Sequence, residues 1–450
     1  MLIVHMDEER TRWIAGCMTG TSLDGLDAAL VEVRGSGLAL TARFAGMVSR
    51  QLGPLAETLR RFAQGQACRP IEFLRAAREL GELHADAVAE LMEKHGGGRL
   101  DLVVAHGQTI WHAPAGIDPL SPGERAGVRG SVNDENPRTS QQPPAGADSH
   151  AALLRGSPHP ASKTRPPSPR GRGGGMSWQL FDPWPIVRRL NVPVCYDLRQ
   201  ADLIAGGQGA PITPLADWVM YRDSADMVFN LGGICNFTVP CADPRYVVGR
   251  DLCACNLLID GMVRMLFPGH QCDVDGSLSA AGKVRDDRVI GVQTQIKPTG
   301  DDTLKSLGRE QFNDTWLKKV VDGSLAGLRP ADALTTAIEG VAAEIGDAIA
   351  VSGPCLKAVL AGGGAKNPRL VDAIQRRAYA MCVEICCPPC SREDVAISVI
   401  TTDKLGIPCE AREAMGFAVL GALSQDGVAI TLPAVTGAVR PGRAGAWVYP

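Results

Sequence analysis

The chain has 450 residues, of which 45% are apolar and 21% charged, and a net charge of −3. That length gives room for two or three domains with cores of their own, and the balanced charge offers no electrostatic case for nucleic acid or a membrane surface as partner. No apolar run reaches the roughly 18–20 residues that span a bilayer, the start "MLIVHMDEER" lacks the long apolar stretch of a secretion signal, and fourteen scattered cysteines fit reduced thiols in a cytoplasmic protein.

In chain order, "WIAGCM" (13–18) and "DAALVEV" (27–33) predict two short strands, with 19–26 as the tip of a hairpin. Gly20 and Gly25 suit positive φ or a close backbone approach to a ligand. Thr21 and Ser22 set hydroxyls beside exposed N–H groups, a combination that suits phosphate. Asp24 and Asp27 could hold a hydrated Mg²⁺. On these residues alone an ordinary polar hairpin is an equal alternative. "LAETLRRFAQ" and "IEFLRAARELGELHADAVAELMEKHG" have helical apolar spacing. "LDLVVAHG" and "VPVCYD" read as short parallel strands whose carboxyl ends face a cleft.

Residues 119–175 stand apart. They hold ten prolines and nine glycines but no Phe, Trp, Tyr or Ile, and five basic residues without an acid between Arg155 and Arg172. Such a stretch buries too little apolar surface to offset its ordering entropy, so it is expected to be a disordered insertion within a domain. A polybasic nucleic-acid tail is the alternative.

Beyond it, "DMVFNLGGICNFTVP" (226–240) repeats the pattern of strand, glycine turn and strand. "ALTTAIEGVAAEIGDAIAVSG" is a long helix, followed by the strand "AVLAGG" and the turn "GGAKNP". The cysteines of "CVEICCPPC" lack the paired knuckles of a zinc site and read as buried or turn residues. The expected class is α/β, with two lobes of similar build, 11–225 and 226–450, meeting near residue 225. A third glycine loop, 361–368, places backbone N–H groups and a helix start at one point, a seat for an anion or a nucleotide. Three such loops in this order point to the actin and sugar-kinase type of fold.

The chain resembles the anhydro-N-acetylmuramic acid kinases through "GCMTGTSLDGLDAAL" (16–30), "HGQTIWHAP" (106–114), "DLRQADLIAGGQGAPITP" (197–214), "NLGGICNF" (230–237), "LKSLGREQFN" (304–313), "LAGGGAKNPRL" (360–370), "EAMGFAVLG" (413–421) and "LPAVTGA" (432–438). The resemblance implies two actin-like (ribonuclease H-like) lobes with an ATP cleft between them, and ATP and Mg²⁺ as cofactors. It also implies a double reaction, in which water opens the 1,6-anhydro bond of an amino sugar while the freed 6-oxygen receives a phosphoryl group. Gly20, Thr21, Ser22, Leu23, Asp24, Gly25, Leu26 and Asp27 would hold the nucleotide phosphates, with Asp24 at the metal. Gly232 and Gly233 would form a second phosphate loop, and Gly362, Gly363 and Gly364 would lie along the nucleotide. His106, Gln108, Thr109, Arg199, Asp202 and Glu413 would meet the sugar, although Arg199 and Asp202 could equally form an ion pair that shapes the cleft. The family's general base is the aspartate of a D-T-G-P-G-N segment, which matches Asp251 in "RDLCACNLLID". Here Leu252, Cys253, Ala254 and Cys255 replace the four middle residues. This change keeps two alternatives open: a nucleotide-binding protein of the same fold that no longer turns over, and Asp251 as a mere helix cap. A homodimer is the assembly considered.

Overall fold

Alternating small and β-branched residues on either side of Gly20 and Gly25 make the opening hairpin, β1 (Thr11–Thr19) and β2 (Gly25–Arg34), paired from Thr11↔Arg34 to Thr19↔Leu26. The computed structural model describes residues 10–20, 23, 25–96, 98–113, 175–297, 309–353, 355–385 and 396–450. Thr21, Ser22, Asp24, the insertion as far as residue 174 and three cysteines of "CVEICCPPC" (386, 387 and 390) lie outside them.

The first lobe continues with β3 (Thr41–Gln51), α1 (Leu55–Ala63), α2 (Pro70–His95), β4 (Leu102–Ala105), the ribbon β5 (Gln108–Ala113) and β6 (Met176–Leu180), α3 (Trp184–Leu190), β7 (Val194–Tyr196), α4 (Gln200–Ile204) and α5 (Pro214–Tyr221). The second has β8 (Met227–Leu231), β9 (Ile234–Val239), β10 (Val248–Ala254), α6 (Asn256–Leu266), α7 (Asp286–Ile296), α8 (Asp314–Asp322), α9 (Pro330–Ala350), β11 (Cys355–Ala361), α10 (Pro368–Ile385) and β12 (Ala396–Thr401). After these come α11 (Ala411–Gln425), α12 (Pro433–Thr436) and β13 (Ala446–Val448).

Counted within its own lobe, each sheet runs 3-2-1-4-5: β3-β2-β1-β4-β7 in the first and β10-β9-β8-β11-β12 in the second. In both, the second strand is antiparallel to its neighbours and the fourth and fifth are parallel to the first. Each glycine hairpin thus forms the same part of its lobe. The chain then crosses back. β13 pairs with β7 at the edge of the first sheet, and α11 packs on that sheet so closely that a Cβ on Gly16 would lie 1.9 Å from the Ala414 carbonyl oxygen. Residues 411–450, which a division at 225/226 places with the second lobe, therefore help to cover the first sheet.

An ion pair fastens this junction. Arg412 of α11 bonds Asp217 of α5 (Nε–Oδ1 2.9 Å), and Thr238 of β9 donates to the same carboxylate (2.6 Å). Both members of the pair are buried, so the arrangement holds its geometry at the cost of two desolvated charges. It also fixes the first turn of α11, and with it the neighbouring Glu413.

Candidate active site

Arg199 is the hub of the site. It lies just ahead of α4, and its Nε and Nη2 donate to His106 Nε2 (3.2 and 3.0 Å) while Nη1 donates to the Gly209 carbonyl (2.7 Å). An imidazole nitrogen that accepts from a guanidinium carries no proton. His106 is therefore protonated on Nδ1, which donates to the Gly107 carbonyl at 2.8 Å. Burial, followed by the Arg199 charge, pulls its pKa down to about 3, so the ring stays neutral. Its face rests on Phe417 of α11, with centroids 5.0 Å apart.

Carboxylates gather on the other side of Arg199. Burial lowers the guanidinium pKa, and Asp251 first and Glu413 second oppose that shift. Asp251 comes from the second sheet and Glu413 from the first turn of α11, so the groups around Arg199 derive from both lobes. Burial also raises Glu413, with the nearby charge of Asp27 adding to the effect and Arg412 and Arg199 reducing it.

Asp251 does not follow a strand, as the sequence suggested; it lies inside β10, opposite Asn236, with a register shift between it and Cys253. The residue ahead of α6 is Cys255, and it makes no side-chain cap, which removes helix capping as the role of Asp251. Leu252, Cys253, Ala254 and Cys255 are buried with the core of the second lobe. The substitutions in "DLCACN" therefore lie in the packing of the second lobe, while the charge of Asp251 still acts on Arg199.

Asp202 behaves differently from its neighbours. It is fully buried, with Oδ2 accepting from the Gly209 N–H (2.8 Å) and Oδ1 from the Thr436 hydroxyl (2.6 Å). No direct bond joins it to Arg199. A Cβ on Gly207 would lie 2.2 Å from its Oδ2, so "AGGQG" is a loop wrapped around this carboxylate. Thr109 donates to Gln179 (2.7 Å) on the adjoining ribbon. Buried Gln108 donates to the Thr109 carbonyl (3.3 Å), while its Oε1 has no partner among the described residues.

The nucleotide side is built from backbone. Gly232 and Gly233 accept from the first N–H groups at the start of α6: Asn256 N to Gly232 O (3.0 Å), and Cys255 N and Leu257 N to Gly233 O (2.9 and 3.0 Å). Gly362 has φ +84°, and its N–H donates to the Cys409 carbonyl at 2.8 Å. A Cβ there would lie 2.6 Å from Asn230 Oδ1 and 3.0 Å from the Leu231 backbone, and one on Gly364 would lie 2.8 Å from Leu231 Cβ. The two glycine loops thus touch each other, and Asn230 Oδ1, on a residue only 3% exposed, has no partner among the described residues. An amide oxygen accepts only, so this atom suits a hydroxyl or a water and not a phosphate oxygen. Of the first hairpin, Gly20, Leu23, Gly25, Leu26 and Asp27 are described; the side chains of Leu23 and Leu26 are buried, which leaves their backbone for any contact with phosphate, and Asp27 accepts from Ser49. Among the described residues no group of three or more His, Cys, Asp or Glu side chains could hold a metal, and Asp24 lies outside them.

Sequence reasoning missed Asn230, Asn256 and Thr436. All three stand in the quoted motifs, but their roles depend on contacts between loops distant in the chain.

Two α/β lobes of one topology, a cleft lined by glycine loops and a polar cluster drawn from both lobes define a phosphotransferase of the sugar-kinase class. The family model for anhydro-N-acetylmuramic acid kinase matches residues 12–121 and 168–450, and the chain belongs to that family. The unmatched stretch lies within 119–175. The anhydro-N-acetylmuramic acid kinase of Xanthomonas campestris pv. campestris (strain 8004) is 30% identical over 441 residues, covering 97% of this chain and 96% of its own. That of Salinibacter ruber is 30% identical over 450 residues, covering 97% and 96%. Among solved structures, the ADPNP-bound activator of 2-hydroxyisocaproyl-CoA dehydratase from Clostridium difficile is similar with a TM-score of 0.39 at 10% identity, covering 92% of this chain and 96% of its own. A ROK family glucokinase from Streptomyces griseus in complex with glucose and AMPPNP gives 0.34 at 12%, covering 91% and 98%. Among the described residues no helix is long and apolar enough to cross a membrane.

Proposed function

We propose that this kinase opens the 1,6-anhydro ring of anhydro-N-acetylmuramic acid with water and phosphorylates the freed 6-oxygen, giving the sugar 6-phosphate and ADP in cell-wall sugar recycling. The observation that supports this reading is Arg199, which bonds His106 and feels the charges of Asp251 and Glu413, residues drawn from both lobes. Asp251 takes a proton from the water as its oxygen bonds to the anomeric carbon. The bond from that carbon to the 6-oxygen breaks, and the 6-oxygen becomes the phosphoryl acceptor. The positive charge of Arg199 faces Asp251, and His106, neutral through burial first and the Arg199 charge second, has both ring nitrogens bonded and so fixes the Arg199 guanidinium in place. Gln108, Thr109 and Glu413 line the sugar side, and Asp202 shapes it by holding the 205–209 loop.

ATP supplies the phosphoryl group, and Mg²⁺ would neutralise its charge. Gly20, Gly25, Gly232, Gly233 and Gly362–Gly364 cradle the phosphates, with Thr21 and Ser22 completing the first loop, Asp24 holding the metal and Asp27 meeting the phosphates only through its hydration shell. On this reading the partners are small molecules, the setting is the cytoplasm, and sedimentation would report whether the assembly is a homodimer. Incubation with ATP, Mg²⁺ and a panel of 1,6-anhydro-sugars, followed by mass spectrometry, tests the proposal. The expected product is the sugar plus one water and one phosphoryl group; ADP formation with every anhydro-sugar recovered intact would refute it.

A further inference from the structure

Lys366 ends the turn that carries the third glycine loop. Its Nζ lies 2.6 Å from Glu410, and its side chain is 58% exposed against 31% for the glutamate. The contact has a fixed base. Gly362 N–H is bonded to the carbonyl of Cys409, the residue before Glu410, so the loop and the start of α11 are tied together beneath the pair. The lysine therefore sits on the glycine loop of the second lobe, and the charge of Asp27, from the first-lobe hairpin, also acts on it.

The acids whose charges act on it are Glu410 and Asp27, and Asp27 acts in turn on Glu413. Such a group repels a polyphosphate unless a cation intervenes. Arg199 cannot serve, because its guanidinium is committed to His106 and Gly209 on the sugar side. Lys366 can: its stem is long and flexible, its ammonium is a compact point charge, and a partly exposed ion pair holds it only weakly.

We propose that Lys366 is a phosphate-binding residue that leaves Glu410 for the terminal phosphates of the nucleotide. This assignment rests on the kinase reading above. Glu410 is then the parking partner of Lys366, and the two residues have opposite effects on nucleotide affinity. If the pair were only structural, removing either member would have the same consequence.

Isothermal titration without sugar, in the presence of Mg²⁺, separates these cases. Lys366→Met should weaken ATP binding by about 10- to 100-fold, the effect of losing a hydrogen bond to a charged group, while AMP binds as it does to the wild type. Lys366→Arg should restore most of the ATP affinity. Glu410→Gln should bind ATP at least as tightly as the wild type. The inference is overturned if Lys366→Met binds ATP normally, if AMP weakens as much as ATP, or if Glu410→Gln weakens ATP binding as Lys366→Met does. In each of these outcomes the wild type still binds ATP and the kinase reading stands. A wild type that binds no ATP would overturn both.

Discussion

On the side proposed to bind the sugar, side chains hold one another: Arg199 holds His106 and Gly209, Asp202 holds Gly209 and Thr436, and Thr109 holds Gln179. On the nucleotide side glycines stand in place of side chains, and Asn230 Oδ1, beside Gly362, has no partner among the described residues. The contrast matches the two ligands. A sugar acid with few free hydroxyls, an acetamido group and a lactyl carboxylate needs directed groups fixed in advance, because specificity comes from hydrogen bonds held in place. A polyphosphate needs bare backbone and movable positive charge. Changes on one side should therefore leave binding on the other side intact.

The largest break in this scheme is Asp251→Asn. It keeps the shape of the side chain but removes the proton acceptor, and turnover should fall by about 10²–10⁴-fold, with ATP affinity unchanged by calorimetry. Next is Arg199→Met, which leaves Asp251 and Glu413 without the cation that faces them. Stability should drop by about 1–3 kcal/mol, the range for leaving a buried acceptor such as the Gly209 carbonyl or His106 Nε2 unsatisfied, read from urea denaturation.

Two further variants form a matched pair. Gly362→Ala places a Cβ against Asn230 Oδ1 and the Leu231 backbone at a φ of +84°, costing about 1–3 kcal/mol. It should abolish ATP binding and spare sugar binding. Asp202→Ala unpins Gly209 and Thr436 at a similar cost of about 1–3 kcal/mol, and should raise the KM for sugar while ATP binds normally. If either variant damages both ligands equally, the two sides are not independent.

A further effect, which needs no substitution, concerns pH. Burial holds His84 and His112 near a pKa of about 4 and His106 near about 3, against an ordinary 6.5. Between these values the unfolded chain binds protons that the folded chain refuses. Their contribution to stability is thus complete above pH 6.5 and is lost as the pH falls toward the folded values. Each histidine adds a slope of up to about 1.4 kcal/mol per pH unit. Denaturation midpoints at pH 7.5, 6 and 5 should show this decline, and His84→Gln, remote from the reacting atoms, should flatten it.

Much of this was legible in the sequence. Both glycine hairpins and the long helices follow from alternation and helical spacing bounded by glycine, which are local properties. The return of residues 411–450 to the first sheet was not, because β13 is only three residues long and its pairing with β7 spans the chain. The cysteines of "DLCACN" look like damage to a site when read along the chain; their burial in the core becomes visible only when β10 is paired with β9. Asp202 was expected at the sugar, but no spacing rule shows that both its oxygens are taken up by its own loop and Thr436. Lys366 escaped notice since a lysine in a turn is unremarkable until its partner 44 positions further on, Glu410, is brought beside it.

The central claim is that Asp251 directs water at the anomeric carbon. Turnover of anhydro-N-acetylmuramic acid in ¹⁸O-water, with fragmentation of the product by mass spectrometry, tests it directly. The account predicts the label on the anomeric hydroxyl and none in the phosphate group. Label in released inorganic phosphate, with no sugar phosphate formed, would contradict it.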